Sequence, residues 1–236
     1  MDKVIFEKGL KEWNISFNED IIEKFSLFSS LLKEENKKMN LTAITDDEGI
    51  SIKHFLDSLA VFSCCDIKNN KKVIDIGTGA GFPGIPVKIL RADFDITLLD
   101  SIKKRIDFLE KVKEKLKLEN IELLHERAEI LGRNPLYREK YDIALSRAVA
   151  PLKILSEYAL PFLKKEGVFY AYKSYEIEEE LNEAKPIIGN LGGRINDIKE
   201  IDIPFSDIKR KIVEIRKIKP TLPEFPRNNK KIKGKK

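Results

Sequence analysis

From Asn18 to Met39 the apolar positions recur three and four residues apart, at Ile21, Phe25, Phe28 and Leu32, with Ile22 and Leu31 widening the stripe. That spacing predicts one amphipathic helix. Asn18 can cap its start, and Glu19 and Asp20 suit the positive end of the helix dipole. A second helical pattern opens at Thr45, where TDDE reads as a capping box closed by Glu48. It runs to about Ser63, with an interruption near Gly49. The chain is therefore expected to begin with a helical region, residues 1–67.

After KNNKK the pattern changes. Short apolar runs, VIDI (73–76), ITLLD (96–100), IELLH (121–125), DIALS (142–146) and VFYAYK (168–173), alternate with helical stretches such as IKKRIDFLEKVKEKLKL. Continuous apolar strands joined by helical crossovers form a parallel sheet covered on both faces. LKKEG, ahead of the fifth strand, reads as a helix exit with Gly167 at its end. Two late runs, RINDIKEIDI and RKIVEIRKI, have no long helix between them and predict an antiparallel hairpin at the sheet edge. The expected fold is α/β and Rossmann-like: a seven-stranded, mostly parallel sheet with an N-terminal helical extension. That is the plan of class I methyltransferases, whereas a plain dinucleotide fold more often continues with crossovers. The sheet domain is expected over 68–219, and a basic C-terminal tail over 220–236.

Composition adds little until the distribution of charge is considered. Lys and Arg number 44 against 39 Asp and Glu, a net +5, which points only weakly to nucleic acid. The end, PRNNKKIKGKK, is basic without an acid and fits either a polyanion partner or a solvated tail. The two cysteines, Cys64 and Cys65, are neighbours, so neither a disulfide framework nor a zinc pattern can be built from them. No signal-peptide pattern opens the chain and no apolar run approaches membrane length. A cytoplasmic monomer with no membrane partner is the expectation.

The stretch DIGTGAGFPGIP, Asp75 to Pro86, joins a strand to a helix through bare backbone, an arrangement that offers N–H groups to a ligand. Gly77, Gly79 and Gly81 give G-x-G-x-G. The nicotinamide fingerprint needs its third glycine one place later, where Phe82 sits, and the lysine-hydroxyl ending of a P-loop is absent. The spacing fits S-adenosylmethionine, which has no pyrophosphate. Asp100 ends the second strand about twenty residues on, where an acid accepts hydrogen bonds from ribose hydroxyls. Ala128 and Glu129 follow the third strand, where an adenine edge is usually held. Taken singly, these glycines could serve only a tight turn and these acids only helix caps. Together with the strand order they favour a nucleoside.

The motifs NLTAITDDE, HFLDSL, DIGTGAGFPGIP, LLDSIKKRIDFLEKV, ERAE and SRAVAPL occur in this order from about Asn40, with YAYK following at Lys173. The chain resembles the bacterial small-subunit ribosomal RNA guanine-N7 methyltransferases, also called glucose-inhibited division protein B. The resemblance implies a class I fold, S-adenosylmethionine as methyl donor, and 16S rRNA or a small-subunit precursor as partner. It implies donor contacts from Gly77 and Phe82, a loop shaped by Gly79 and Gly81, and a pocket completed by Ala128, Glu129 and Arg147. It ties Arg127, Arg147 and Lys173 to activity, and matches Lys104 and Arg105 to the family's basic pair. Phe82 stands where leucine is common, Ser174 where glycine is common, and the basic end lacks the usual termination.

The residues restrict the reaction further. An Asp/Asn-Pro-Pro-aromatic motif, the mark of exocyclic-amine methylation, is replaced by SRAVAP after the fourth strand, and both cysteines precede the glycine loop, away from a cytosine C5 nucleophile's place. Guanine N7 carries a lone pair and no proton, so no general base is needed and catalysis means holding the base. Several assignments stay open at this level. Arg147 fits either the ligand face or an ion pair with Asp142 or Glu129, and Arg127 either function or surface pairing. Lys173 ends a strand on the ligand side. Lys103, Lys104 and Arg105 sit at the helix end that disfavours cations. His54 and Asp57 read as a local hydrogen-bond pair, too few for a metal, and Asn40 and Thr42 as a turn framing the cofactor mouth. Another RNA, a protein or a small molecule could be the substrate, and a non-catalytic nucleoside-binding assembly factor is the reading from a different class.

Overall fold

Side-chain alternation along the strands divides the interior into two cores, and the two cores account for the architecture. In a computed structural model, which describes residues 1–232, seven strands form one sheet in the order β3-β2-β1-β4-β5-β7-β6. They are β1 (Lys72–Ile76), β2 (Asp95–Asp100), β3 (Ile121–His125), β4 (Tyr141–Arg147), β5 (Leu163–Ser174), β6 (Gly193–Asp202) and β7 (Lys209–Lys217). The first five are parallel; β7 runs antiparallel to β5 and pairs with β6 as a hairpin. Val73 and Leu98 face one core while their sequence neighbours Ile74 and Leu99 face the other. The strands thus read as unbroken apolar runs because each face is covered.

On the first face lie α1 (Lys3–Glu12), α2 (Glu19–Met39), the short α3 (Asp47–Gly49), α4 (Asp57–Cys64), α5 (Gly84–Leu90) and α6 (Lys103–Lys115). The second face is covered by α7 (Ala128–Leu131), α8 (Leu152–Ala159), α9 (Glu178–Asn190) and α10 (Asn229–Ile232). The stripe expected of α2 is buried at Ile22, Phe25, Phe28 and Leu32, and Asn18 Oδ1 accepts the Ile21 N–H at 3.0 Å. An aromatic cluster joins these helices to the glycine loop: Phe25 stands 4.9 Å from Phe55, Phe55 5.6 Å from Phe28, and Phe28 5.4 Å from Phe82.

Three local expectations are corrected. The cap ahead of α3 is Asp46, whose carboxylate accepts the Gly49 N–H at 2.6 Å, rather than Thr45 in a box with Glu48. The helix then continues through Gly49 as a π-helical turn, Ile50–Leu56, where an interruption was expected. LKKEG is not a helix exit: α8 and a 3₁₀ turn, Leu160–Phe162, end before it, and it forms the start of β5. The register with β4 jumps from Tyr141↔Leu163 to Ile143↔Val168, and the bulge is accommodated by positive φ at Glu166.

The segment after β7 packs back against the second face, burying Thr221, Phe225 and Ile232. Residues 233–236, the end of the basic tail expected at 220–236, lie outside the described residues. No helix among the described residues is long and apolar enough to cross a membrane.

Candidate functional site

The strand order reverses between β1 and β4, and the crevice outside their carboxyl ends is where open α/β sheets take ligands. β1 leads into Gly77 at φ +69°, where a Cβ would lie 2.6 Å from Val149 Cγ2 in the loop after β4. Glycine alone permits that turn and that approach together. Beneath the loop, one oxygen of the buried Asp75 accepts from Thr78 Oγ1 at 2.6 Å and from the Gly84 N–H at 2.8 Å. Burial pushes the Asp75 carboxyl up to about 7. Asp100, at the end of β2, accepts the Gly79 N–H at 2.9 Å and the Ile102 N–H at 2.9 Å, with Arg105 Nη1 at 3.3 Å. A cleft of about 350 Å³ opens over this loop, bounded by Gly77, Asp100, Ser101, Arg127, Ala128, Glu129, Val149, Tyr158 and Asn229. Bare backbone at Gly77 and an acid at the neighbouring strand end fit a nucleoside with an amino-acid tail.

A second hollow, of about 420 Å³, lies across the 147–151 loop and is lined by Lys53, His54, Asp57, Arg147, Tyr172, Lys173 and Arg210. Asp57, 1% exposed, is its pivot. One carboxylate oxygen accepts from Arg147 Nη1 at 2.8 Å and Arg210 Nη2 at 3.2 Å, and the other from Arg210 Nε at 2.8 Å. The Arg147 guanidinium also stands 5.1 Å from the centre of the Phe82 ring, within cation–π range. Lys173 Nζ donates to Glu180 at 2.6 Å and to the Ala150 carbonyl at 3.1 Å. His54 shares a 2.7 Å hydrogen bond with Thr42 through Nε2, while Nδ1 is buried without a partner. Burial, and then the Arg147 charge, hold His54 down at about 4, so it is neutral at physiological pH.

The structure divides the residues singled out from sequence between these two hollows. Gly77, Asp100, Arg127, Ala128 and Glu129 line the first; Arg147 and Lys173 line the second. Gly79 and Gly81 shape the loop, and the Phe82 ring is buried, stacked on His54 at 4.5 Å and 12°. Lys103 pairs with Asp107 along α6 at 3.0 Å. Arg147 pairs with Asp57, not with Asp142 or Glu129; Asp142 is taken by Lys164 at 2.6 Å. The side chains of His54 and Asp57 are not hydrogen-bonded to each other, since the π turn aims one at Thr42 and the other at the two arginines. The turn after Asn40, in left-handed conformation, brings Thr42 to His54 and so serves the second hollow. Sequence reasoning missed Tyr158, Asn229, Asp57's role and Arg210; only the basic character of the late strand hinted at the last.

Comparison with known proteins matches residues 21–205 to the family model GidB, rRNA small subunit methyltransferase G. A "Ribosomal RNA small subunit methyltransferase G" of Thermoanaerobacter pseudethanolicus is 50% identical over 220 residues, covering 93% of this chain and 92% of its own. The protein of the same name from Clostridium perfringens strain 13 is 48% identical over 223 residues, covering 94% and 93%. Among solved structures, a SAM-dependent methyltransferase from Aquifex aeolicus superposes with a TM-score of 0.53 at 18% identity, covering 78% of this chain and 98% of its own, a likeness of fold. With the family model spanning most of the chain and relatives near half identity over almost all of it, this chain belongs to the rRNA small subunit methyltransferase G family.

Proposed function

We propose that the chain methylates N7 of a guanine in 16S rRNA, with S-adenosylmethionine in the cleft over Gly77 and Asp100 and the target guanine in the hollow around Arg147. The observation that carries this reading is the pair of hollows flanking the 147–151 loop at the switch point of the sheet. Bound donor would supply a methyl group on a sulfonium. Everything else falls to the side chains. Asp100 keeps a lone pair beyond those facing Gly79, Ile102 and Arg105, and this would accept from the ribose. Gly77 lets the amino-acid tail approach the backbone, and Ala128 and Glu129 border the base. Asp57 fixes the Arg147 guanidinium, which donates to guanine O6 and leaves N7 free for in-line attack. Lys173 and Arg210 offset phosphate charge, and Arg127 does so at the rim of the first cleft. No proton is removed from N7, so the reaction asks for no general base in the second hollow. Residues 1–67 and 68–219 act as helical brace and catalytic domain of a cytoplasmic monomer.

The test is methyl transfer from labelled S-adenosylmethionine to 16S rRNA, free and in the small subunit, followed by mapping of the modified base. N7-methylguanosine at one position is expected. Label in an exocyclic amine or a ribose, or no incorporation into either substrate, would overturn the reading.

A further inference from the structure

Beyond β7 the chain does not simply trail away; it is fastened to the second face and reaches the first cleft at Asn229. Arg138 donates to the carbonyls of Thr221 (2.7 Å) and Phe225 (2.7 Å), and Arg133 to those of Glu224 and Pro226, both at 2.8 Å. The strongest fastening follows. Glu157, on α8, is fully buried, and both its oxygens are occupied by Arg227: the backbone N–H at 2.7 Å, Nε at 3.0 Å and Nη2 at 2.7 Å. A buried carboxylate is tolerated only with such a partner, so the position of residue 227 is set by the interior of the protein. Two residues on, Asn229 reaches the cleft and its side-chain oxygen accepts the Tyr158 hydroxyl at 3.1 Å. With the oxygen held there, the amide nitrogen is left facing no protein acceptor among the described residues.

We propose that Asn229 recognises the purine of the methyl donor, its amide N–H donating to a ring nitrogen while Tyr158 fixes the direction of the amide. This rests on the reading that the cleft holds S-adenosylmethionine. The order of the lining residues supplies the argument. Gly77 and Asp100 take the tail and the ribose, and what lies beyond the ribose is the base. There the walls are Ala128, Glu129, Tyr158 and Asn229. Adenine presents an amine donor beside a ring-nitrogen acceptor. Glu129, 7% exposed, supplies the acceptor for the first, and Asn229 carries the one side-chain amide among the described lining residues, a donor for the second. The C-terminal segment is on this view part of the donor site.

Titration of the full chain with S-adenosylhomocysteine and its 1-deaza, 3-deaza and 7-deaza analogues tests this. Wild type should lose about tenfold in affinity for one of the three analogues, the value of one hydrogen bond. Asn229→Ala should lose about the same for the parent ligand and show no further loss with that analogue, the signature of a shared interaction. Tyr158→Phe should lose a smaller factor in the same pattern. Asn229 is half-buried on a short terminal helix, so its truncation is expected to leave the fold intact, which circular dichroism checks. Unchanged parent affinity in Asn229→Ala would overturn the proposal. So would a loss that simply adds to the penalty of every analogue. Failure of wild type to bind S-adenosylhomocysteine would instead overturn the reading of the cleft, and this assignment with it.

Discussion

Asp57 holds two guanidiniums, and what a substitution does in that cluster depends on which member is removed. Arg147→Ala leaves the buried carboxylate paired with Arg210, so the fold should survive. Because Arg147 lies outside the first cleft, affinity for S-adenosylhomocysteine should be unchanged while methyl transfer falls at least about a hundredfold, the scale of lost positioning. Calorimetry and single-turnover methylation separate the two effects. Gly77→Ala should act the other way round. It places a side chain at φ +69° and against Val149, a strain of roughly 1–3 kcal/mol, and weakens donor binding before it touches the second hollow. Ligand titration beside a urea melt reads both. The places of Asp100 and Arg147 at strand ends, and of Gly77 just past one, could be read in the sequence because those strands have a plain apolar pattern, although Arg147 falls outside the first cleft, where the resemblance had put it. The carboxylate that orients Arg147 was not. Asp57 and Arg210 are 153 positions apart, and no local periodicity records such a pairing.

At the scale of elements, legibility followed periodicity. The stripe of α2 and the five crossover strands were readable because burial imposes a period of 3.6 on one and near-continuous apolarity on the other. Asn18→Ala should cost about 1 kcal/mol in urea unfolding, since it leaves the first turn's N–H groups without their side-chain acceptor. The π turn at Ile50–Leu56 was hidden, because one extra residue per turn changes no residue type; it shows only in which neighbours His54 and Asp57 reach. Gly167 misled for a related reason: glycine marks a helix end and a bulged strand alike, and only the partner strand decides between them. Phe55, carried by that π turn, touches the rings of Phe6, Phe25, Phe28 and Phe82. Phe55→Ala should therefore destabilise by about 3–5 kcal/mol, measured by chemical denaturation.

Across the whole molecule, two buried groups near the site oppose one another in their dependence on pH. His54 is held at about 4, below the ordinary 6.5, so the unfolded chain binds its proton first and stability is lost as pH falls from 6.5 to 4. Asp75 is pushed up to about 7 from 3.8, so its contribution is lost as pH rises through the same range. The net profile should be shallow. Comparison with His54→Phe, which keeps a ring against Phe82, cancels the Asp75 part. Relative to wild type that variant should gain about 3 kcal/mol between pH 6.5 and pH 4 in urea unfolding, at roughly 1.4 kcal/mol for each pH unit. The same long-range construction bears on how the protein is made. The first hollow draws on residues from 76 to 229 and the second on residues from 53 to 210. A nascent polypeptide therefore has the second hollow complete only once residue 210 is made and the first only once residue 229 is made, and a product released earlier carries a glycine loop with no finished chamber around it.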